Sequence, residues 1–396
     1  MGVSIWVGNN SDRVAAALEI IAKAHAKDIQ DITSWATMQS IVNSGAGPMF
    51  FPVGTQITDE WKQTAESAAV TAPWDVVNHD STGMTLNWHY AFPDAVQFDA
   101  PEAIWYADSN GLAAGTYHIA IGSSYGSGWV TSKAIQFTLS EALVDGDQIV
   151  IGGLSNNNTD PTDGKTISVY AKGAAESKQT ATTSNGTDGT LLGTIGPESA
   201  QKTNGQFNAI SRVIYGSNRW SQSALRQYLN SSAAAGAWWS AQNPWDRPPT
   251  QATTLRGFLA GCSSDFLSVL QPTAVVTDLN TVEGYTETSE TTYDKIFVPS
   301  RFEMREALGD SWEYYDKLAT QLGVNYFGSG SANAYDELKK YNLASQSSPV
   351  SVWLRSPITS AAYGAWFVYS GGSFGTYTGA TSASRGCPAC KIQIMS

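Results

Sequence analysis

The chain has 396 residues, long for a single hydrophobic core, with only 15% charged residues, 80 Ser and Thr together, and 11% aromatics. A disordered chain would carry few aromatics, a collagen-like chain a strict glycine period, and a helical membrane span a run of roughly 18 uncharged apolar residues; none of these describes it. A net charge of −12 lacks the basic face that nucleic acid requires, and three cysteines do not make a disulfide scaffold.

No positively charged, apolar leader opens the chain, which predicts synthesis in a reducing cytoplasm. The first 45 residues read as helical: Val14, Leu18, Ile21, His25, Ile29, Ile32, Trp35 and Met38 recur at steps of three and four. That stripe serves either a helix lying on its own domain or a self-associating stalk. Thr33 or Ser34 can cap a second short helix, with Gly45 just past its end and Gly47-Pro48 stopping it. From Met49 the period changes to two. Thr116–Ile121 and Ile135–Leu139 alternate as strands, and Asp145-Gly146 turns into Gln148–Ile151. Residues 173–205, rich in Thr, Ser, Asn and Gly, read as a linker with one strand near Leu191–Ile195. Beyond it, Trp220–Leu229 has a helical apolar face, Ser300 and Glu303 form a capping box, and short strands follow at 352–354, 365–369 and 390–394.

Few residues suggest catalysis. The four histidines (25, 79, 89 and 118) show no zinc spacing. Gly122–Gly126 contains Gly-x-Ser-x-Gly without the strand–Ser–helix context of a hydrolase, and it lacks the Gly-Lys-Ser/Thr ending of a phosphate loop. Cys387-Pro-Ala-Cys390 runs into an alternating strand rather than opening a helix, so its thiols read as small packed hydrophobes. A disulfide from Cys262 to either remains open. Asp59-Glu60, Glu283, Glu287 and Glu290 read as solvated surface, and no acid/base pair stands out. Neither a metal nor a cofactor is expected.

One window departs from everything else. Ser356 to Ser384 is 29 residues without Asp, Glu, Lys, Arg, His, Asn or Gln, where about four charges are expected at the chain's 15%. Alternation across Trp366–Tyr369 places Trp366 and Val368 on one face, Phe367 and Tyr369 on the other, and Gly371-Gly372 turns the chain. A buried Gly/Ser-rich meander is one reading. The other is a binding surface in which Tyr and Phe supply rigid contact area and Ser, Thr and Gly supply adaptable contacts, as in an antibody paratope.

Trp353-Leu-Arg-Ser-Pro357, the aromatic and small-residue stretch after it, and Arg385-Gly-Cys-Pro-Ala-Cys-Lys-Ile392 resemble the C-terminal ending of variable proteins diversified by retroelements. Such proteins are common in phages and prophages of gut bacteria. Tyr215–Trp220, Ser223–Asn230 and Gly257–Leu267 are similar to the same domain, so the resemblance covers about residues 205–396. Ser40–Ser44 through Phe51-Pro-Val-Gly54 resembles tail-associated prophage proteins.

The resemblance implies a C-type lectin fold and adenine-directed variation. Its variable sites would be Ala361, Tyr363, Gly364, Phe367, Tyr369, Ser373, Gly375, Thr376, Tyr377, Thr378, Thr381, Ser382 and Ser384. Each is a residue that such variation allows. Trp353, Arg355, Trp366, Val368 and Pro388 would be framework, with Arg355 as a hydrogen-bonder rather than a ligand contact. The calcium motifs of sugar lectins, Glu-Pro-Asn with Trp-Asn-Asp, do not occur, and Asn243-Pro-Trp-Asp246 is not their equivalent. Ligand binding is therefore expected to be metal-independent.

The expectation is a multi-domain chain: a helical assembly segment (1–48), an antiparallel β-rich spacer (49–172), a linker (173–204) and an α+β C-type lectin-like domain (205–396). The function it implies is host attachment from a virion, through a bacterial surface receptor, protein or glycan. The expected partners are other tail proteins and further copies of the chain as a trimer, with no nucleic acid and no membrane insertion. The alternatives are a virion structural or decoration protein, and an oxidase like the formylglycine-generating enzymes, which would need reactive cysteines.

Overall fold

A computed structural model gives the architecture of residues 34–121, 134–154, 164–195, 206–304, 312–315 and 338–395, and these are the residues described. The stripe from Val14 to Ile32, the Gly122–Gly126 motif and part of the expected linker lie outside them.

Helix α1 (Trp35–Asn43) begins after Ser34 and ends before Gly45, which takes φ +78°, a conformation glycine adopts without strain. Ser34 occupies the capping position, but the first free amide, Trp35 N, donates to Asp265 Oδ2 at 3.0 Å. The helix is therefore capped by the body it lies on. Trp35 and Met38, the last two positions of the helical stripe, are buried in that body, with the Trp35 ring 4.7 Å from Phe266. A one-turn helix α2 (Gly47–Phe50) follows.

The strands build a chain that is mostly β, in several largely antiparallel sheets. β1 (Gln56–Trp61), β2 (Val70–Asp80) and β3 (Gly83–Trp88) pair in sequence, and the last strand, β21 (Ala389–Gln393), completes their sheet beside β3. All six β3 residues are buried. Around it Trp88 lies 5.6 Å from Trp61, 5.8 Å from Trp74 and 5.1 Å from Phe258. Aromatic pairs at such distances each add about 0.5–1.5 kcal/mol beyond their area. β4 (Val96–Gln97) joins a five-stranded sheet of β17 (Val352–Pro357), β18 (Gly364–Val368), β19 (Phe374–Gly379) and β20 (Ala383–Gly386), in the order β19-β18-β17-β20-β4.

Residues 104–215 make a second body with its own core of Ile104, Ile119, Ile135, Ile149, Ile167 and Val169, among others. Its strands are β5 (Trp105–Tyr106), β6 (Gly115–Ile121), β7 (Ala134–Leu139), β8 (Gln148–Gly152), β9 (Thr166–Tyr170), β10 (Ser177–Thr182), β11 (Ser184–Asn185) and β12 (Thr190–Ile195). They form two four-stranded sheets, β10-β9-β8-β5 and β11-β7-β6-β12. Two short antiparallel pairs, β13 (Thr273–Asp278) with β14 (Ser289–Asp294) and β15 (Lys340–Tyr341) with β16 (Pro349–Val350), precede β17. Gly146, at φ +83°, turns the chain into β8 as the Asp-Gly pair predicts.

The packing divides the chain differently from the sequence reading. Residues 35–98 share one core with 220–392, so the expected spacer of 49–172 contributes to both bodies. The expected linker supplies three strands. β10 pairs with β9, and β12 runs parallel to β6. Their hydroxyl-rich sequences suit edge positions, where only one side needs to be apolar: β10 is exposed or half-buried throughout. The chain crosses between the bodies at 99–103 and again at 216–219. No helix among the described residues is long and apolar enough to cross a membrane.

Candidate ligand-binding surface

The charge-free window folds as β17 to β20, and its framework is fixed by buried polar contacts. Trp353 is fully buried and its Nε1 donates to Val96 O at 2.9 Å. Arg355, also buried, donates to both Glu303 carboxylate oxygens at 2.6 Å and to Val298 O at 2.9 Å. Such a two-pronged guanidinium–carboxylate pair fixes orientation as well as charge. Glu303 in turn accepts from Ser300 N at 2.8 Å while Ser300 Oγ accepts from Glu303 N at 3.1 Å, so the capping box anchors the sheet. Val368 is buried, and Pro388 O accepts from Trp88 N at 2.8 Å.

The positions expected to vary separate by burial. Tyr369 is 38% exposed, and Tyr363, Thr381, Ser382 and Ser384 are half-buried. Tyr363 stacks on Tyr215 with ring centroids 4.8 Å apart. Ala361, Gly364, Phe367, Ser373 and Gly375 are buried. Thr376, Tyr377 and Thr378 lie in β19, with their side chains outside the described residues.

Phe367 is the clearest correction. It is only 4% exposed, although simple alternation aims it outward with Tyr369. β18 is an interior strand between β19 and β17, and the core packs on both of its faces. Phe367 and Val368 are thus both buried, Phe367 lying 6.0 Å from Trp353 and 4.3 Å from Tyr369. Trp366, expected in the core beside Val368, is half-buried beneath the Arg301 guanidinium at 4.3 Å. The 369–373 turn closes through Tyr369 N to Ser373 O at 2.8 Å, with Gly372 at φ +86°. Gly375 sits under Tyr369: a Cβ there would come within 2.2 Å of the ring. Side-chain size at 375 and ring placement at 369 are thus coupled.

Of the acidic residues read as solvated surface, Glu287 is exposed as expected, but Glu283 and Glu290 are structural. Glu290 pairs with Arg219 at 2.8 Å, and Glu283 pairs with the buried Arg212. Arg212 also pairs two-pronged with Glu102, its Nε lying 2.8 Å from Oε2. Burial opposes the Arg212 charge, yet Glu102 and Glu283 hold its pKa well above the ordinary value. From Glu283 a polar chain runs through Asn280 to Asn218, whose Nδ2 donates to Ala361 O at 2.7 Å and Gly364 O at 2.9 Å. This chain holds the loop that presents Tyr363.

Sequence reasoning also missed a group of three buried carboxylates. Asp99, Glu102 and Asp246 each place an oxygen within 4.8 Å of the others. Burial, then repulsion from Glu102, pushes Asp246 up to about 7, and burial with both neighbours raises Asp99 well above its ordinary range. No motif joins Asp99 to a residue 147 positions later, so only the fold reveals the group.

The cysteines are packed as thiols. Cys387 and Cys390 are buried, and burial pushes both thiols up. Cys387 Sγ lies 2.8 Å from Trp88 O, a donor contact that keeps the proton in place. Cys262 is also free, so the open disulfide is absent from the structure.

Residues 201–394 match the family model of a domain of unknown function, DUF6273. The match includes the window and β21 but neither β3 nor β4, the strands they pair with. No curated protein and no solved structure matches the chain.

Proposed function

We propose that the chain is a virion-associated receptor-binding protein of a phage or prophage. It would be of the retroelement-diversified type, with the 205–396 segment built on a C-type lectin fold. The observation that carries this reading is the division within the window. A rigid, buried framework of Trp353, Arg355 and Val368 supports a surface of Tyr363, Tyr369, Thr381, Ser382 and Ser384 that bears no charge. Aromatic and hydroxyl side chains on a fixed scaffold suit the recognition of changing ligands, because the scaffold's stability does not depend on them. Display in many copies on a virion converts weak single contacts into useful avidity.

An oxidase of the formylglycine-generating type needs a reactive thiolate, whereas burial of Cys387 and Cys390 favours the thiol form of both. Deep sequencing of codons 355–390 in a growing culture of the host tests the reading. The expected result is substitution confined to adenine positions at the proposed variable sites, with a near-copy of those codons beside a reverse transcriptase. Uniform sequence across the population and no such copy would refute diversification.

A further inference from the structure

We propose that Asp99, Glu102 and Asp246 form a structural Ca2+ site at the crossing between the two bodies. The three lie where the chain passes from one core to the other. Asp99 follows Phe98 of the first core, and Glu102 precedes Ile104 of the second. Asp99 Oδ2 accepts from Ser217 N at 3.1 Å, which binds the outgoing crossing to the returning one. The loop carrying Asp246 is fastened to the same crossing, since Trp245 O accepts from Ala103 N at 2.8 Å.

The donor set and the charge both point to a cation. Asp246 is 3% exposed; its Oδ2 accepts from Gln242 N and Asn243 N, but its Oδ1 is buried without a hydrogen-bond partner. An unsatisfied buried carboxylate oxygen is costly, and a metal ion is one way to satisfy it. Arg212 does not fill this role, because its guanidinium is committed to Glu102, Glu283 and Gln222. Glu102 Oε2 accepts from both Arg212 and Asn208, while Oε1 accepts from Arg212 and retains a second acceptor site. Glu102 and Glu283 pair with the one guanidinium, and Asp99 and Asp246 add two further carboxylates within 4.8 Å of Glu102. A divalent ion removes most of that imbalance. The donors are all carboxylate oxygens, without His or Cys, which selects a hard cation. Oxygens on one Ca2+ sit about 2.3–2.6 Å from it, so its ligand atoms lie no more than about 5 Å apart, and the three here lie within 4.8 Å of one another.

The consequence reaches the window. Asp99 N donates to Ala380 O at 3.0 Å, and Glu102 connects through Arg212, Glu283, Asn280 and Asn218 to the 361–364 loop. The ion would hold the scaffold without touching a receptor, and its test is independent of the receptor reading.

The test is calorimetric titration and thermal melting of the full chain after chelator treatment. Ca2+ is expected to bind with about one ion per chain and to raise the melting temperature by about 5–10 °C at a hundredfold excess over its dissociation constant. Asp246→Asn and Asp99→Asn are expected to lose that rise. In chelator they should melt at or above the wild-type temperature, because each removes a repelling charge. A wild-type chain that neither binds Ca2+ nor shifts would overturn the proposal, as would a full shift retained in both variants. An equal rise with Mg2+ would overturn the assignment to Ca2+.

Discussion

The two bodies are held together by different kinds of pairing. In the 104–215 body, β6 pairs with β7 and β8 with β9, neighbours in sequence, over a core of Ile, Val and Leu. In the other, β3 pairs with β21 and β4 with β20, across nearly the whole chain, over a core crowded with Trp and Phe. The first kind can form locally. The second must close a very long loop before any contact is made, and large aromatic surfaces then stabilise what has been closed. The proposed binding surface sits on the second kind, where changes to exposed residues leave the long-range framework intact.

The largest expected effect follows from that dependence. A fragment of residues 201–396 contains the whole matched domain but lacks β3, β4 and α1. It should show no cooperative melting alone and should regain it when residues 34–98 are supplied; a stable fragment would break the comparison. Next, Trp88→Ala should cost about 3–5 kcal/mol and Ile149→Ala about 2–5 kcal/mol. In calorimetry each is expected to lower the transition of its own body more than the other's. Equal shifts would mean that the bodies unfold as one. Within the window, Phe367→Ala should destabilise by about 3 kcal/mol or more, whereas Tyr369→Ala should change stability by under about 1 kcal/mol. Chemical denaturation separates the two, and similar losses would restore the simple alternation in which both rings face outward.

The smallest effect is acidic. Burial pushes the Asp75 carboxyl up, but the His89 and Gln56 hydrogen bonds and the Lys340 charge hold it below its ordinary 3.8. A lowered carboxylate contributes stability above the unfolded value, and loses it as pH falls through the lower folded value. His89→Ala should therefore shift the acid-unfolding midpoint upward by a few tenths of a pH unit. No shift would show that the half-exposed His89 contributes nothing.

These differences also explain what the sequence made legible. Thr116–Ile121, Ile135–Leu139 and Gln148–Ile151 were readable because alternation and an Asp-Gly turn are local signals, and the strands form at those positions. The Ser300–Glu303 capping box was readable for the same reason. The partners of β3 and β4 were not, since nothing near residue 85 announces residue 390. In the window, composition identified an unusual segment, but β18 lies inside its sheet and is covered on both faces, so Phe367 is buried along with Val368. Alternation assumes one open face and carries no warning of a second cover. Glu283 and Glu290 looked solvated because their Thr-rich surroundings are polar, while the arginines that bury them come from 212 and 219. The carboxylate group at 99, 102 and 246 was invisible for the same topological reason.

The central claim is that the uncharged aromatic face of the window binds a receptor while the framework beneath it does not depend on that face. Binding of the labelled full-length chain to intact host cells, measured for wild type and for the Tyr363→Ala/Tyr369→Ala double variant, tests it most directly. The account predicts that the variant melts within a few degrees of wild type and loses cell binding at least tenfold. Undiminished binding by a variant that folds normally would contradict it.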